Sequence, residues 1–159
     1  MFRTGIGFDA HALVEGRPLV IGGVNIPHSR GLLGHSDADV LVHAVMDAIL
    51  GALALGDIGE HFPDTDDEFK GADSLVLLSR VQKIIEDKGY SCENLDSIII
   101  AEKPNLKSYI GEMRENLASV LKINLDQLSI KATTTEHMGF TGREEGIAAQ
   151  AIVLLKSNN

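Results

Sequence analysis

Apolar and polar positions change period several times along the chain, and each change marks an element. Phe2 to Asp9 alternates loosely, with glycines between its apolar residues, which predicts a first strand ending at Asp9. Leu19-Val20-Ile21 and Val24-Asn25-Ile26-Pro27 flank Gly22-Gly23, the signature of a tight hairpin. Gly31 to Gly34 reads as a loop. The period then becomes helical, with Val40, Leu41, Ala44, Val45, Ala48, Ile49, Ala52 and Leu53 on a helix that runs to about Leu55 and stops at Gly56. Ser36 is its expected N-cap, with Asp37 and Asp39 in a first turn where the helix dipole favours acids. Asp57 to Phe69 reads as a loop, and a second helix starts at Asp73 or Ser74 and runs to Lys88 before Gly89. Leu95 to Ala101 is a β-branched strand closed by Pro104, Tyr109 to Leu121 a third helix, and Leu128 to Thr134 another strand. A glycine-rich turn, Gly139 to Gly146, leads to a last strand over Ile147 to Leu155, and the polar tail Lys156 to Asn159 is expected to fray. The order ββ(β)ααβαββ predicts an α/β (α+β) fold, one mixed sheet packed by helices on one face, as a single domain over 1–159.

Composition narrows this picture. Hydrophobic residues make up 44% of the chain, enough for a core, while aromatics are 4% and Trp is absent, so that core is aliphatic. Cys92 has no partner for an internal disulfide, which fits a reducing compartment, and is expected to be a partly buried, inert thiol. The N-terminal Met-Phe-Arg-Thr-Gly-Ile-Gly has no apolar signal core, and no apolar run reaches the ~18 residues of a membrane span. A cytoplasmic location is expected. The net charge of −9 argues against nucleic acid or an anionic membrane as partner. That charge is concentrated: Gly31 to Phe69 holds nine acids, three of the six histidines and neither Lys nor Arg, whereas the other 120 residues carry 14 acids and 14 bases.

Several groupings carry chemistry. Asp9 and His11 are two apart on a strand and point to one side. His43 is the best third ligand, and Asp, His and His leave a fourth position open on a divalent metal. Asp39 and Asp47 stand four residues to either side of His43 and could accept from its imidazole N–H. The plainer alternative is a strand-end Asp capping a turn beside a surface His. His35-Ser36 could bind an anionic oxygen, or Ser36 could serve only as a helix cap. The loop Asp57-Ile58-Gly59-Glu60-His61-Phe62-Pro63-Asp64-Thr65-Asp66 could fold back and accept from polyol hydroxyls, or be plain solvated surface. Ala101-Glu102-Lys103-Pro104-Asn105-Leu106-Lys107 could read a base edge, or be an ordinary connection. Thr133-Thr134-Thr135-Glu136 could hold phosphate oxygens and a second divalent ion, or be plain strand. Arg143 could bind a diphosphate bidentately.

Taken together and in order, these segments resemble the 2-C-methyl-D-erythritol 2,4-cyclodiphosphate synthases over nearly the whole chain. The long phrase Gly34-His35-Ser36-Asp37-Ala38-Asp39 is more specific than any single motif. The resemblance implies a homotrimer with active sites between subunits, acting in non-mevalonate isoprenoid biosynthesis as a CMP-releasing, cyclising phosphorus–oxygen lyase. Its substrate would be 4-diphosphocytidyl-2-C-methyl-D-erythritol 2-phosphate, whose 2-phosphate attacks the β-phosphorus. It implies Zn²⁺ on Asp9, His11 and His43, and Mg²⁺ or Mn²⁺ on Glu136. It implies transition-state stabilisation by His35 and Thr134, with Ser36 joining His35 at the phosphate and Asp9 and His11 also touching substrate. Asp57, Ile58, Gly59, Phe62, Pro63, Asp64, Thr65 and Asp66 would form the erythritol pocket. Ala101, Glu102, Lys103, Pro104, Asn105, Leu106 and Lys107 would form the cytidine pocket, with Asn105 where a lysine is common. Thr133, Thr135, Phe140 and Arg143 would lie near the phosphates, and Arg143 could also line a trimer-axis cavity for an isoprenoid diphosphate. Metal ions, helped by Lys103, Lys107, Lys131 and Arg143, would reverse the sign of the acidic segment for an anionic substrate. The competing readings are a zinc-dependent phosphoesterase and a non-catalytic module binding nucleotide or isoprenoid diphosphate.

Overall fold

The computed structural model describes residues 1–63 and 65–158; Asp64 and Asn159 lie outside the described residues. The first strand, β1 (Phe2–Glu15), is much longer than its pattern predicts. Its first eleven residues pair antiparallel with the last strand and Leu13–Glu15 pair with β4 (Arg30–Leu32), so the ladder continues through Asp9 and His11 instead of ending there. β2 (Leu19–Ile21) and β3 (Val24–Ile26) form the expected hairpin as a separate two-stranded sheet. Next come α1 (Val40–Ala52), α2 (Ile58–His61), α3 (Ser74–Asp87), β5 (Tyr90–Ile100), α4 (Ile110–Leu121), β6 (Leu128–Thr133), α5 (Gly139–Gly142) and β7 (Gly146–Ser157). The main sheet runs β4-β1-β7-β5-β6, antiparallel except for β5 beside β6, and is therefore mixed.

Several local expectations change: residues 31–32, expected in a loop, pair in β4, β5 starts five residues before Leu95, and α5 forms within the glycine-rich turn. The cap of α1 is Asp39, not Ser36: Ala38 adopts φ +58°, which keeps Ser36 and Asp37 out of the helix. The segment read as one loop, Asp57 to Phe69, contains α2 and a 3₁₀ turn over Asp67–Phe69. The tail does not fray up to Asn158, because Ser157 N–H donates to Met1 O and Asn158 N–H to Gly89 O.

α1 lies against β1 and β7, α3 packs on α1, and α4 packs on α3 and β6. The helices meet alternate residues of β7, namely Ile147, Ala149, Ala151, Val153 and Leu155, all buried in an aliphatic core. Along β1, glycines let the helix approach. A Cβ added at Gly5 would lie 1.9 Å from Ala48 O, and one at Gly7 1.9 Å from Ala44 O. Strand and helix backbones therefore touch, and His43 is carried against Asp9 and His11. The opposite face is uncovered at its centre, where Ile6, Phe8 and Ile152 are 62%, 58% and 53% exposed. Cys92 is buried, and burial pushes its thiol up to about 12, as expected of an inert cysteine. Among the described residues no helix is long and apolar enough to cross a membrane.

Candidate metal centre and its neighbouring cavity

Asp9 and His11 project from the helix-covered face of β1 towards His43, which sits in the first turn of α1. Three ligand atoms converge: Asp9 Oδ2 to His11 Nε2 is 2.8 Å, Asp9 Oδ2 to His43 Nδ1 is 3.0 Å, and His11 Nε2 to His43 Nδ1 is 3.2 Å. A tetrahedral ion with bonds of about 2.0 Å spaces its ligand atoms about 3.3 Å apart, so the triangle needs shifts of only a few tenths of an ångström to accept one. Burial works against charge on Asp9, yet the hydrogen bonds from His11 and His43 prevail and hold its carboxyl well below the usual carboxylate range. Burial likewise disfavours charge on His11, but Asp9 outweighs it and raises the His11 pKa. A carboxylate that stays ionised beside two imidazoles offers a divalent cation one anionic and two neutral donors once the imidazoles have lost their protons.

The outward ring nitrogens are held as a metal site requires. His11 Nδ1–H donates to Leu33 O at 2.7 Å, leaving Nε2 for an ion. His43 Nε2 faces two hydroxyls, Ser36 Oγ at 3.2 Å and Ser74 Oγ at 3.1 Å, leaving Nδ1 for the ion. The expected partners of His43 are engaged elsewhere. Asp39 accepts from Gly22 N–H (2.9 Å), Gly23 N–H (2.7 Å) and Val42 N–H (3.1 Å), tying the hairpin to α1. Asp47 accepts from Ile58 N–H at 2.8 Å.

The triad lines a cavity of about 270 Å³ together with His35, Ser36, Ile58, Gly59 and Phe62. His35 Nε2–H donates to Asp66 O at 3.3 Å, and Phe62 stands edge-on to Phe69 with ring centroids 5.4 Å apart. Asp57 caps α2, Pro63 O accepts from Asp66 N–H, and Thr65 and Asp66 are exposed at the rim. Asp64, expected in this pocket, lies outside the described residues. Leu33, Gly34, Met46, Phe69 and Leu77 complete the lining. The sequence does not single them out as site residues, because apolar side chains carry no chemistry that local spacing could flag.

A second cavity, about 400 Å³, lies where β5 and β6 end. Ala101, Glu102, Pro104, Asn105, Leu106, Lys107, Thr133 and Thr134 line it, joined by Ile110 and Ala132, which the sequence did not single out. Asn105 Oδ1 accepts from Lys107 N–H at 2.9 Å and so shapes this loop. The register Asp9↔Ala149↔Ile99↔Ala132 puts both cavities at one level, three strand spacings or about 14 Å apart. Glu136 therefore does not join the triad. It is exposed, and Thr134 Oγ1 donates to it at 2.8 Å. Thr135 bonds Thr141 and Met138 O, and Glu102 receives His137 N–H, so both brace this turn. Phe140 is exposed beside Gly146.

The model of the YgbB family matches residues 2–156. The chain belongs to the YgbB family. Relatives from Desulfitobacterium hafniense (61% identical over 155 residues, 98% of each chain) and Geobacillus sp. strain WCH70 (62% over 156 residues, 98% of this chain and 99% of the other) are named 2-C-methyl-D-erythritol 2,4-cyclodiphosphate synthase. Among solved structures, the CDP complex of IspF from Plasmodium falciparum has a TM-score of 0.87 at 34% identity, covering 99% of this chain and 97% of that one. The bifunctional IspDF from Campylobacter jejuni has a TM-score of 0.94 at 45% identity; the match covers 99% of this chain and 42% of the bifunctional protein.

Three of the four basic residues expected near an anionic substrate stand in ion pairs in this YgbB chain. Lys103 pairs with Glu144 at 3.2 Å, Lys131 with Asp96 at 2.5 Å, and Arg143 with both oxygens of Glu145 at 2.9 and 3.1 Å. All three pairs are open to solvent, where an ion pair holds its partners weakly. Lys107, exposed at the second cavity, enters no ion pair among the described residues.

Proposed function

We propose that this chain converts 4-diphosphocytidyl-2-C-methyl-D-erythritol 2-phosphate to 2-C-methyl-D-erythritol 2,4-cyclodiphosphate and CMP, as a cytoplasmic phosphorus–oxygen lyase of the non-mevalonate route. The observation that carries this reading is the convergence of Asp9, His11 and His43 beside His35 and Ser36, inside a chain of this family. An oxygen of the 2-phosphate forms a bond to the β-phosphorus, the bond from that phosphorus to the CMP oxygen breaks, and its electron pair leaves with CMP. The phosphate dianion is itself the nucleophile, so no side chain need act as general base. His35 and Ser36 hold and orient the 2-phosphate, Ile58, Gly59 and Phe62 enclose the erythritol unit and exclude water, and the Thr134 hydroxyl donates to the transferring phosphoryl group. Zn²⁺ fits the triad, and bound there it would supply positive charge against the repulsion of the two phosphates. Glu136, a lone exposed carboxylate, fits Mg²⁺ or Mn²⁺, ions that keep waters and share phosphate oxygens with a single acid.

The second cavity takes the cytidine unit, and the site is completed by a neighbouring subunit of a homotrimer. Two features support this assembly: the cavities of one subunit are about 14 Å apart, and the Ile6, Phe8 and Ile152 patch is apolar and uncovered. An isoprenoid diphosphate on the trimer axis would have to take Arg143 from Glu145. Phosphorus NMR in ¹⁸O-water with the diphosphocytidyl substrate, Zn²⁺ and Mg²⁺ tests the reaction. The cyclic diphosphate and unlabelled CMP are expected. Label in a phosphate product would establish a phosphoesterase instead, and binding without turnover a non-catalytic module.

A further inference from the structure

Ser74 is the first residue of α3, 31 positions from His43 in sequence, and is fully buried against it. Its Oγ lies 3.1 Å from His43 Nε2 and also bonds Asp37 Oδ1. Asp37 is held in turn, its Oδ2 accepting Ser74 N–H at 2.9 Å and its Oδ1 accepting Asp39 N–H at 3.1 Å. A carboxylate cannot donate, so the Ser74 hydroxyl gives its proton to Asp37 and must accept at His43. Ser36 Oγ, the other hydroxyl at Nε2, already accepts Ala38 N–H at 3.2 Å and borders the cavity, where its own proton is available to a ligand.

We infer that Ser74 and Asp37 are positioning residues for the metal centre: the chain His43 Nε2–H to Ser74 Oγ–H to the Asp37 carboxylate fixes the His43 tautomer and strengthens Nδ1 as a ligand. This rests on the triad holding a metal ion. The direction of each bond follows from the chemistry of its ends. Asp37 accepts from Ser74 and Ser74 accepts from His43 Nε2–H, so that, with an ion bound, the Nδ1 that otherwise hydrogen-bonds Asp9 is free to ligate. A ligating histidine usually meets its acceptor directly. Here a hydroxyl is interposed, and it couples the start of α3 to the ligand on α1. Nothing in the local spacing around His43 announces it, because both partners lie outside that helix.

The test is a zinc titration against a competing chelator for the wild type and for Ser74→Ala, Ser74→Thr and Asp37→Asn, with the imidazole N–H signals of the zinc-loaded proteins recorded by ¹⁵N NMR. Ser74→Ala should weaken zinc binding about 10- to 100-fold. It should also abolish the slowly exchanging, downfield Nε2–H signal of His43. Ser74→Thr, which keeps the hydroxyl, should restore both. Asp37→Asn, which keeps the shape without the charge, should weaken zinc about tenfold and move the signal upfield. Circular dichroism of the metal-free forms separates misfolding from lost affinity; if Ser74→Ala does not fold, Asp37→Asn decides. Wild-type zinc affinity and an unchanged His43 signal in a folded Ser74→Ala would overturn the inference while leaving the triad intact. Failure of the wild type to take up zinc would overturn the metal reading itself, and this inference with it.

Discussion

Asp9, His11 and His43 stand on the regular parts of β1 and α1, whereas Ala101–Lys107, Thr134 and Glu136 stand on segments that leave β5 and β6. Around the triad, ring nitrogens find partners far along the chain, such as Leu33 and Ser74. Around Glu136 the hydroxyl bonds are short-range, Thr134 to Glu136 and Thr135 to Met138 and Thr141. The first region is preorganised by tertiary structure and ready for an ion. The second is shaped by local turns and is exposed. A small, highly charged cation demands fixed geometry, while a nucleotide brings its own rigid surfaces and tolerates a looser cradle.

The contrast predicts unequal sensitivity. The largest effect should come from His43→Ala, which removes a ligand: zinc content should vanish and turnover fall by about 10³ or more, with oligomeric mass unchanged. Turnover near wild type would show that the first region is not the reaction centre. Gly7→Ala should come next, since its new Cβ would meet the Ala44 carbonyl oxygen of α1. A loss of about 3 kcal/mol, or a melting temperature lower by about 10 °C, is expected together with weaker zinc binding. An unchanged melt would show that the helix can withdraw freely. Glu136→Gln should leave melting within about 0.5 kcal/mol of wild type and zinc content intact, while raising the Mg²⁺ needed for half-maximal rate about tenfold. An unaltered Mg²⁺ titration would remove Glu136 from the ion's shell. The smallest effect belongs to Asn105→Ala, which deletes the bond to Lys107 N–H. At about 1 kcal/mol it should raise KM about fivefold at constant kcat; a fall in kcat instead would place Asn105 nearer the chemistry than its cavity suggests.

The same division governs what could be read from sequence. Asp9 and His11 are recognisable because strand periodicity puts i and i+2 on one side, and the hairpin, α3 and α4 follow from local signals that tertiary structure did not override. β1 was read six residues short, because Asp9 and His11 look like a strand end until pairing with β7 and β4 carries the ladder onward. Ser36 and Asp39 are both good caps on paper. The choice fell to Asp39 through Ala38 and through Gly22 and Gly23, 17 and 16 residues upstream, and no local rule sees those amides. For the same reason helical spacing points to Asp39 and Asp47 as supports for His43, whereas its acceptor is Ser74 at the start of α3. Residues whose partners are near in sequence are legible; among those whose partners arrive through folding, His43 is legible as a third ligand, while Asp39, Asp47 and Ser74 are not.

The bare glycine edge of β1 has a consequence for how this protein can vary. Where α1 crosses Gly5 and Gly7, the gap between helix and strand is set by main-chain atoms, whose size is the same for every amino acid. Leu41, Ile49 and the other aliphatic residues of α1 can therefore be exchanged for neighbours of similar volume while His43 stays at its distance from Asp9 and His11. The distance between the metal ligands on strand and helix is therefore set by main-chain contact at two glycines of β1 before any side chain of α1 contributes.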